Sequence, residues 1–351
     1  MHDFPELDLA QADMQAQREV YQPTAFWREA ASRIAHELRT HGMGKFRSLP
    51  AALGFYVPTY GPPGIGFSRE QAVLLMEDAC RRLPQSRKPQ LAIGQFLSGE
   101  LAALNDYRVL LAADNPARLP HLHTFSESEI GAPVEQLVFD GRRFSRSSLN
   151  YLLGLALLKK HLDGDVPRTI LEIGGGFGTL GEVLAAARIP DLRYVDIDIP
   201  PNSYVAQHYL SGVLGAENVS TYANTRDHNA IDIGQLRPAS ALCAWQIEKL
   251  QGKVDLFVNF ISFQEMEPPV VRNYLQQVSR LGPRWMLLRN MREGKQVRDG
   301  AGTVGVCEPV VSGDYLEMLP EYDLVTRNVL PYGVRTVDGF HSELLVLRRK
   351  P

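Results

Sequence analysis

The chain has 351 residues, 44% of them hydrophobic, which is enough for one large domain or two modest domains with a substantial core. It has 37 Lys and Arg residues against 40 Asp and Glu residues, and the resulting formal net charge of −3 excludes the overall basic field that gathers a protein onto nucleic acid. The apolar stretch at 152–158 is far too short to span a bilayer, and the N-terminus carries acidic residues where a signal peptide would carry positive charge. We therefore expect a cytoplasmic protein that acts on a small molecule and binds neither nucleic acid nor a membrane.

The spacing of cysteine and histidine residues indicates no metal site. Cys80, Cys243 and Cys307 are far apart in the sequence, and no C-x-x-C pattern accompanies them. His121 and His123 have a spacing that can serve a metal on a strand, but no third ligand is near them in the sequence. We expect neither a disulfide framework nor a bound metal.

The first 145 residues contain helical stretches separated by loops. Residues 22–38 and 71–83 carry apolar side chains at helical spacing. Residues 56–66 between them are rich in Pro and Gly, which predicts an extended or turning loop. The pattern indicates a mainly helical N-terminal domain over 1–145, which we expect to cover a substrate pocket, to form a homodimer contact, or to do both.

Residues 146–351 alternate short apolar strands with longer amphipathic segments, which is typical of an α/β fold with a parallel sheet covered by helices on both faces. A helix is predicted at 151–161. The predicted strands are 169–173, 193–198, 255–260 and 285–289, and two late apolar runs, 324–330 and 343–347, are expected to pair in antiparallel fashion at the sheet edge.

Closely spaced glycines follow the first predicted strand and lead straight into a helix. Gly174, Gly175, Gly176 and Gly178 let the backbone approach a ligand without obstruction by a Cβ atom, and they aim free N–H groups at negative charge. Glu172 precedes them, at a position from which a carboxylate can hold an ammonium group directly or through neighbouring groups.

A carboxylate at the end of the second predicted strand lies beside the tip of the first, in the crevice where such sheets bind ligands. There it can accept hydrogen bonds from both hydroxyls of a ribose. Because side chains alternate along a strand, only one of Asp196 and Asp198 need reach the crevice. We favour Asp198, with the following Ile199, and keep Asp196 as the alternative.

The glycines fit two cofactor motifs. Residues 176–181 (GFGTLG) match the dinucleotide pattern G-x-G-x-x-G, with Asp198 20 residues after Gly178, which would suit an NAD-dependent dehydrogenase. Residues 172–178 also match E-x-G-x-G-x-G, the pattern typical of class I methyltransferases, which bind S-adenosyl-L-methionine (SAM). Glu172 favours the methyltransferase, because its carboxylate would attract the ammonium group of the methionine moiety, whereas it would repel a nucleotide phosphate.

The adenine ring needs an apolar slot with a few polar groups at its edge, which the loop after the third strand provides in this fold. Residues 241–246 are the predicted third strand, so Trp245 is expected to pack on the ring and Gln246 to form a hydrogen bond with it. The alternative third strand, 218–222, would move these contacts to Tyr222 and Ala223.

Residues 140–295 resemble the putative sugar O-methyltransferases. The resemblance rests on the glycine loop, on Asp-x-Pro at 198–200 after the second strand, and above all on residues 255–266 (DLFVNFISFQEM). It implies a Rossmann-like class I methyltransferase domain over 146–351, with a mostly parallel seven-stranded sheet, an antiparallel last strand and SAM as cofactor. It also implies methyl transfer to a hydroxyl of a sugar or another small secondary metabolite. This chain departs from the family pattern at Ile261, where a His often precedes the Ser.

Methyl transfer from a sulfonium requires alignment of the nucleophile, the methyl carbon and the sulfur, and removal of a proton if the nucleophile is a hydroxyl. The end of the fourth strand faces the methyl group in this architecture, which makes Glu265 our candidate general base or orienting carboxylate. Its alternative role is a helix-start carboxylate ahead of Pro268. His228 and His341 are rival bases because an imidazole titrates in the right range, and Asn259 is counted with the cofactor contacts.

Arg146 immediately precedes the helix that leads to the first strand, where it can pair with the cofactor carboxylate. The same residues also fit a capped helix start with Ser147 or Ser148 as the cap, and both roles can hold together. Two further functions stay open: N- or carboxyl-methylation of a natural-product precursor, and an inert methyltransferase-like protein that serves as a scaffold.

Overall fold

The N-terminal part of the chain is mainly helical in the computed structural model, which describes residues 2–83, 87–164, 166–298 and 305–351. The elements there are α1 (Pro5–Gln15), α2 (Trp27–His41), α3 (Pro50–Phe55), α4 (Arg69–Arg82), α5 (Arg87–Leu97), α6 (Glu100–Ala113) and a hairpin of β1 (Leu137–Phe139) and β2 (Arg142–Phe144).

Two of these helices match predicted segments but begin at different residues. α2 begins after Pro23, because a proline disfavours the helical conformation at the residue before it and so excludes Gln22 from the helix. α4 begins earlier than predicted because Ser68 caps it: the Ser68 hydroxyl accepts a hydrogen bond from the backbone N–H of Gln71, whose side chain accepts one from the backbone N–H of Ser68. The sequence pattern predicted both helices, whereas their first residues are determined by Pro23 and by the Ser68 cap, which the pattern does not show.

The helix α7 (Arg146–Lys159) is buried along nearly its whole length and leads into the sheet. Its N-cap is Ser145, whose hydroxyl accepts a hydrogen bond from the backbone N–H of Ser148 at 3.3 Å, while the Ser148 hydroxyl accepts one from the backbone N–H of Ser145 at 2.9 Å. The prediction of Ser147 or Ser148 as the cap was therefore wrong. Ser148 completes the capping box from the third helical position instead.

The rest of the chain alternates strands and helices. In chain order the elements are β3 (Thr169–Ile173), α8 (Thr179–Ala186), β4 (Arg193–Asp198), α9 (Asn202–Leu214), β5 (Val219–Ser220), α10 (Tyr222–Thr225), β6 (Ile231–Asp232), β7 (Ala239–Cys243), β8 (Leu250–Gln251), β9 (Leu256–Phe260), α11 (Pro268–Leu281), β10 (Trp285–Met291), α12 (Ser312–Met318), β11 (Tyr322–Asn328), β12 (Val334–Arg335) and β13 (His341–Arg349).

The central sheet has the strand order β11-β13-β10-β9-β3-β4-β7-β5, and β12 pairs with β13. The strands from β5 to β10 along this order are parallel, and β13 runs antiparallel between β10 and β11. The sequence predicted a Rossmann-like, mostly parallel sheet with an antiparallel last strand, and the structure confirms this arrangement. The predicted number of strands was seven, whereas the observed sheet has nine, because the short β5 and β12 also pair with it. Both candidates for the third strand form strands: β7 is the main one and the short β5 pairs with its outer edge.

Helices cover both faces of the sheet. Successive side chains of each strand point to opposite faces, so neighbouring residues of one strand pack in different core clusters. Ile170 and Leu256 belong to a core cluster with α7 and α8, whereas Leu171 and Phe257 belong to the cluster that contains α11. Among the residues that the structure describes, no helix is long and apolar enough to cross a bilayer.

Candidate active site

A cavity of about 390 Å³ lies at the carboxyl ends of β3 and β4. The chain runs from β3 outward through β4 to one edge of the sheet and then returns to β9 on the other side of β3. The carboxyl ends of strands at such a switch point are where open α/β sheets bind their ligands. The sheet and α7 supply one part of the cavity wall, and the N-terminal region supplies the other.

The glycine loop approaches the cavity with backbone conformations that only glycine adopts freely. Gly174 and Gly176 have φ angles of 72° and 64°, and a Cβ atom on Gly174 would lie 1.9 Å from the Ser262 hydroxyl oxygen. A Cβ atom on Gly176 would meet nothing closer than 3.8 Å, so this residue borders open space. Gly174, Gly175 and Gly176 line the cavity, whereas Gly178 precedes α8 and packs against Leu210.

The loop N–H groups are bonded within the protein, so the expectation that they point freely at a ligand was wrong. The backbone N–H of Gly175 donates to Asp196 Oδ1 at 3.1 Å, and that of Gly176 donates to Asp198 Oδ2 at 3.3 Å. The reason is the parallel register of β3 and β4, which sets Glu172 opposite Asp196 and leaves both aspartates beside the loop that follows β3.

Glu172 lies beneath the loop and is fully buried. It accepts hydrogen bonds from the hydroxyls of Tyr151 at 2.7 Å and Tyr194 at 2.6 Å, and its side chain does not line the cavity. Burial raises the pKa of Glu172 to about 7, against the opposing effect of the two tyrosine hydroxyls. Any contact of Glu172 with a ligand therefore passes through a neighbour, and Tyr151, which does line the cavity, is placed for it.

Asp198 lies on the cavity wall and Asp196 does not. Asp198 Oδ1 accepts a hydrogen bond from the backbone N–H of Ile199 at 2.7 Å, and Ile199 lines the cavity as well. Burial raises the pKa of Asp198 to about 7, and burial followed by the charge of Glu172 raises that of Asp196 well above its usual range. No cation among the described residues offsets the charge of these three carboxylates.

Glu265 also lines the cavity, in the short turn after β9. Lys295 Nζ lies 3.0 Å from Glu265 Oε1, and the Trp27 side chain hydrogen-bonds the same carboxylate. Burial raises the pKa of Glu265 despite the opposing effect of these two partners. The N-cap of α11 is Glu267, so Glu265 does not have the alternative role of a helix-start carboxylate. Neither Trp27 nor Lys295 belongs to a motif, so sequence reasoning missed both.

Ile261 borders the cavity at the position where the family pattern often has His. Its φ angle is 66°, a left-handed conformation that costs a β-branched residue conformational energy. A hydrogen bond of 2.6 Å from its backbone N–H to the carbonyl of Arg289 helps to hold it there. This strained turn carries the chain from β9 toward Glu265.

The two histidines proposed as rival bases do not reach the cavity. His228 is exposed in the turn that follows α10. His341 begins β13, and its Nδ1 lies 2.7 Å from Glu293 Oε1 at the protein surface. Neither lines the cavity wall, so neither is placed for catalysis there.

The predicted adenine contacts after β7 are engaged elsewhere, and this prediction was wrong. Gln246 Oε1 accepts a hydrogen bond from the backbone N–H of Cys243 at 2.9 Å, and its Nε2 donates to Thr225 Oγ1 at 2.9 Å. Trp245 packs edge-on against Tyr222, with 5.5 Å between the ring centroids. A 3-10 helix, Ala244–Lys249, follows β7, and it buries both side chains outside the cavity wall. The alternative residues Tyr222 and Ala223 do not line it either.

Asn259 positions the strand ends and does not line the cavity. Its Nδ2 donates to the carbonyl of Ile173 at 2.9 Å, and its Oδ1 accepts from the backbone N–H of Phe263 at 3.2 Å. Because its amide is used in this way, the prediction of a direct cofactor contact was wrong. Asn259 instead joins the base of the glycine loop to the turn that carries Glu265.

Arg146 lines the cavity at the first position of α7. It donates to the carbonyl of Thr59 at 2.9 Å, and its guanidinium lies 5.7 Å from the centroid of the Tyr60 ring. The Pro- and Gly-rich residues 56–66 thus help to enclose the site. Their composition predicted a loop, but nothing in it indicated which surface the loop would cover.

No group of three or more His, Cys, Asp or Glu side chains that could hold a metal occurs within the described ranges. The rings of His121 and His123 pack edge-on against each other, with their centroids 5.5 Å apart.

Similar solved structures include three methyltransferases. The magnesium protoporphyrin IX methyltransferase ChlM from Synechocystis PCC 6803, with bound SAM, is 15% identical over 58% of this chain and 81% of its own, with a TM-score of 0.39. The Burkholderia thailandensis 1,6-didemethyltoxoflavin-N1-methyltransferase, with bound S-adenosylhomocysteine (SAH), is 15% identical over 57% and 79% of the two chains, with a TM-score of 0.39. The mitomycin 7-O-methyltransferase MmcR is 12% identical over 100% and 74%, with a TM-score of 0.37. No family model matches this chain, and no curated protein matches it.

Proposed function

We propose that this protein is a SAM-dependent methyltransferase that acts on a small-molecule acceptor. The observation that carries the proposal is the meeting of the glycine residues 174–176 and Asp198 on one wall of a cavity at the switch point of the sheet. Asp198 would accept hydrogen bonds from the ribose hydroxyls, and the open side of Gly176 leaves room for the ligand beside it.

The polar atoms of the wall support this assignment. Tyr56 Oη and Asn202 Oδ1 are buried, lack a hydrogen-bond partner and belong to residues that line the cavity. An unsatisfied buried polar group costs free energy, so a polar ligand that pairs with these atoms is favoured. The cavity therefore suits a polar ligand, and Asn202, whose side chain also hydrogen-bonds Asp198, puts one of these atoms beside that carboxylate.

The buried carboxylates distinguish SAM from a dinucleotide. Glu172 and Asp198, when ionised, make the region around the glycine loop negative. Such a field favours a sulfonium and an ammonium group and opposes a pyrophosphate. This supports SAM over NAD as the cofactor.

SAM, when bound, supplies an electrophilic methyl group. Glu265 would accept the proton of an acceptor hydroxyl, and burial raises its pKa toward the range that suits a general base. Lys295 and Trp27 hold the carboxylate in place. The resemblance of residues 140–295 to sugar O-methyltransferases is our reason to propose a hydroxyl of a sugar or another secondary metabolite as the acceptor.

Binding calorimetry with SAM, SAH and NAD tests the cofactor assignment. We expect SAM and SAH to bind, NAD not to bind, and Asp198→Ala to lower the affinity for SAH by about tenfold or more, since a ribose would lose two charge-assisted hydrogen bonds. Asp191→Ala, an exposed acid outside the cavity, is the matched control. Absence of SAH binding to the wild-type protein would overturn the proposal.

The substitution Glu265→Gln tests the type of acceptor. Transfer of a labelled methyl group to hydroxyl acceptors should fall by about 10²- to 10⁴-fold, the usual contribution of a general base. The affinity for SAH should stay unchanged. Full turnover by the variant would favour N- or carboxyl-methylation, in which the nucleophile needs no base. An SAH-binding protein that transfers no methyl group to any acceptor tested would fit a scaffold instead.

A further inference from the structure

One part of the cavity wall is an apolar slot that no sequence motif marks. Its side chains are Val20, Ile199, Met266, Val270 and Tyr274, all of which line the cavity and pack against the same core cluster. Other apolar wall residues, such as those of α2 and α3, belong to a different cluster, and Ile199 packs against both clusters. The slot begins directly after Asp198, because Ile199 is the next residue in the chain.

One side of the slot comes from residues 19–27, which we name the N-terminal strap. The Tyr21 hydroxyl donates to Glu248 Oε1 at 2.8 Å, and the Thr24 hydroxyl donates to the carbonyl of Glu265 at 3.0 Å. The Tyr21 ring also packs edge-on against Tyr274, with 5.8 Å between the centroids. These contacts hold the strap against the turns that follow β7 and β9.

Gln22 of the strap borders this cavity and also a second one that Met14 lines. Its Nε2 donates to the carbonyl of Met14 at 2.5 Å and to that of Gln17 at 3.1 Å, so both of its N–H bonds are used. Gln22 lines the cavity, and its Oε1 remains available as an acceptor. An acceptor among apolar wall residues complements a heteroaromatic ring that carries an amino group.

We propose that the slot holds the adenine base of the cofactor and that Gln22 Oε1 accepts a hydrogen bond from the exocyclic amino group. The inference rests on the proposed function, which puts the ribose at Asp198 and therefore the base beside Ile199. It also accounts for the burial of Trp245 and Gln246 away from the cavity, because the N-terminal strap takes the place that the loop after β7 was expected to fill.

The test compares SAH with S-inosylhomocysteine, in which a carbonyl oxygen replaces the amino group. We expect the wild-type protein to bind SAH about tenfold more tightly, the equivalent of one hydrogen bond of ordinary strength. Gln22→Leu should abolish most of this preference, because it removes the acceptor. Gln17→Leu is the matched control, because the Gln17 side chain lies outside the cavity wall and donates only to the carbonyl of Asp13.

The ratio of the two affinities separates recognition from a general loss of structure. A wild-type protein that does not bind SAH would refute the proposed function itself. SAH binding with the same preference in the wild type and in Gln22→Leu would refute the role of Gln22 alone. If Gln22→Leu binds neither ligand, the smaller substitution Gln22→Ala decides: a lost preference supports the inference, and a retained preference overturns it.

Discussion

Three acidic side chains gather around the glycine loop without a basic partner in the described part of the chain, and this determines how the site responds to pH. Glu172, Asp196 and Asp198 are held by tyrosine hydroxyls and backbone N–H groups, which stabilise a carboxylate less than a cation would. Burial therefore dominates, and it raises the pKa of both Glu172 and Asp198 to about 7. These groups are largely protonated at pH 6 and largely ionised at pH 8.

The affinity for SAM relative to SAH should therefore rise between pH 6 and pH 8. SAM carries a sulfonium charge that SAH lacks, and a fixed positive charge is stabilised by the ionised carboxylates. Calorimetric titrations with both ligands at pH 6, 7 and 8 measure the ratio. A ratio that stays constant over this range would contradict the prediction, and Asp198→Asn should weaken the dependence on pH.

Residue types were easier to predict than their contacts. The sequence predicted that the glycines and Asp198 would come together, because the ends of neighbouring parallel strands must meet. It did not predict that Asp196 and Asp198 would occupy the loop N–H groups, since that depends on the register between β3 and β4. Nor did it reveal Lys295 beside Glu265, because these residues are joined only by the folded chain.

At the scale of single elements, α7 joins the N-terminal region to the sheet. The residues at its start cap the helix, bind a buried carboxylate and line the cavity. Ser145 caps the helix and donates to Glu127 Oε1 at 2.8 Å, while Arg146 borders the cavity. The sequence predicted that this helix begins at residue 151, because the apolar run at 151–158 was the feature that indicated a helix. The capping pair Ser145 and Ser148 lacks the Glu or Gln that usually marks such a box.

Ser145→Ala should lower the free energy of unfolding by about 1–3 kcal/mol, because it removes a helix cap and leaves the buried Glu127 with one hydrogen bond fewer. Urea denaturation measures the change. Ser147→Ala, in the same helical turn but without a capping role, should cost far less. Equal losses for the two variants would show that the cap contributes little.

At the scale of the whole molecule, two parts of the chain that are far apart in sequence, the N-terminal region and the sheet with its turns, form the cavity together. The hydrogen bond from Thr24 to Glu265 joins residues 241 positions apart. Helical periodicity predicted α2, but periodicity describes only one element and cannot identify its partner. For this reason the sequence predicted the sheet but not which N-terminal residues line the cavity.

The helices α4 and α5 leave an apolar surface exposed. α4 has no buried residue, and Leu74 and Phe96 are 62% and 60% exposed. The charges of α4 suit a second copy of the chain: Glu70 lies in the first turn of the helix and Arg81 and Arg82 in the last, so antiparallel pairing of two α4 helices would bring opposite charges together.

We therefore expect a homodimer through α4 and α5. Light scattering coupled to size exclusion should give the dimer mass, and Leu74→Glu should shift the protein to the monomer. Leu111→Glu, at a similarly exposed apolar position on α6, should leave the dimer intact. A wild-type protein that is monomeric across a concentration series would contradict this prediction.

The N-terminal strap has a consequence for the timing of turnover. In the proposed complex a nucleoside would lie between the strap and α11, beside the contacts of Tyr21 and Thr24 with the turns after β7 and β9. The by-product SAH would occupy the same slot as SAM, so we expect these contacts to open once in each cycle. We expect the opening of these contacts to be slower than methyl transfer and to limit the rate of turnover.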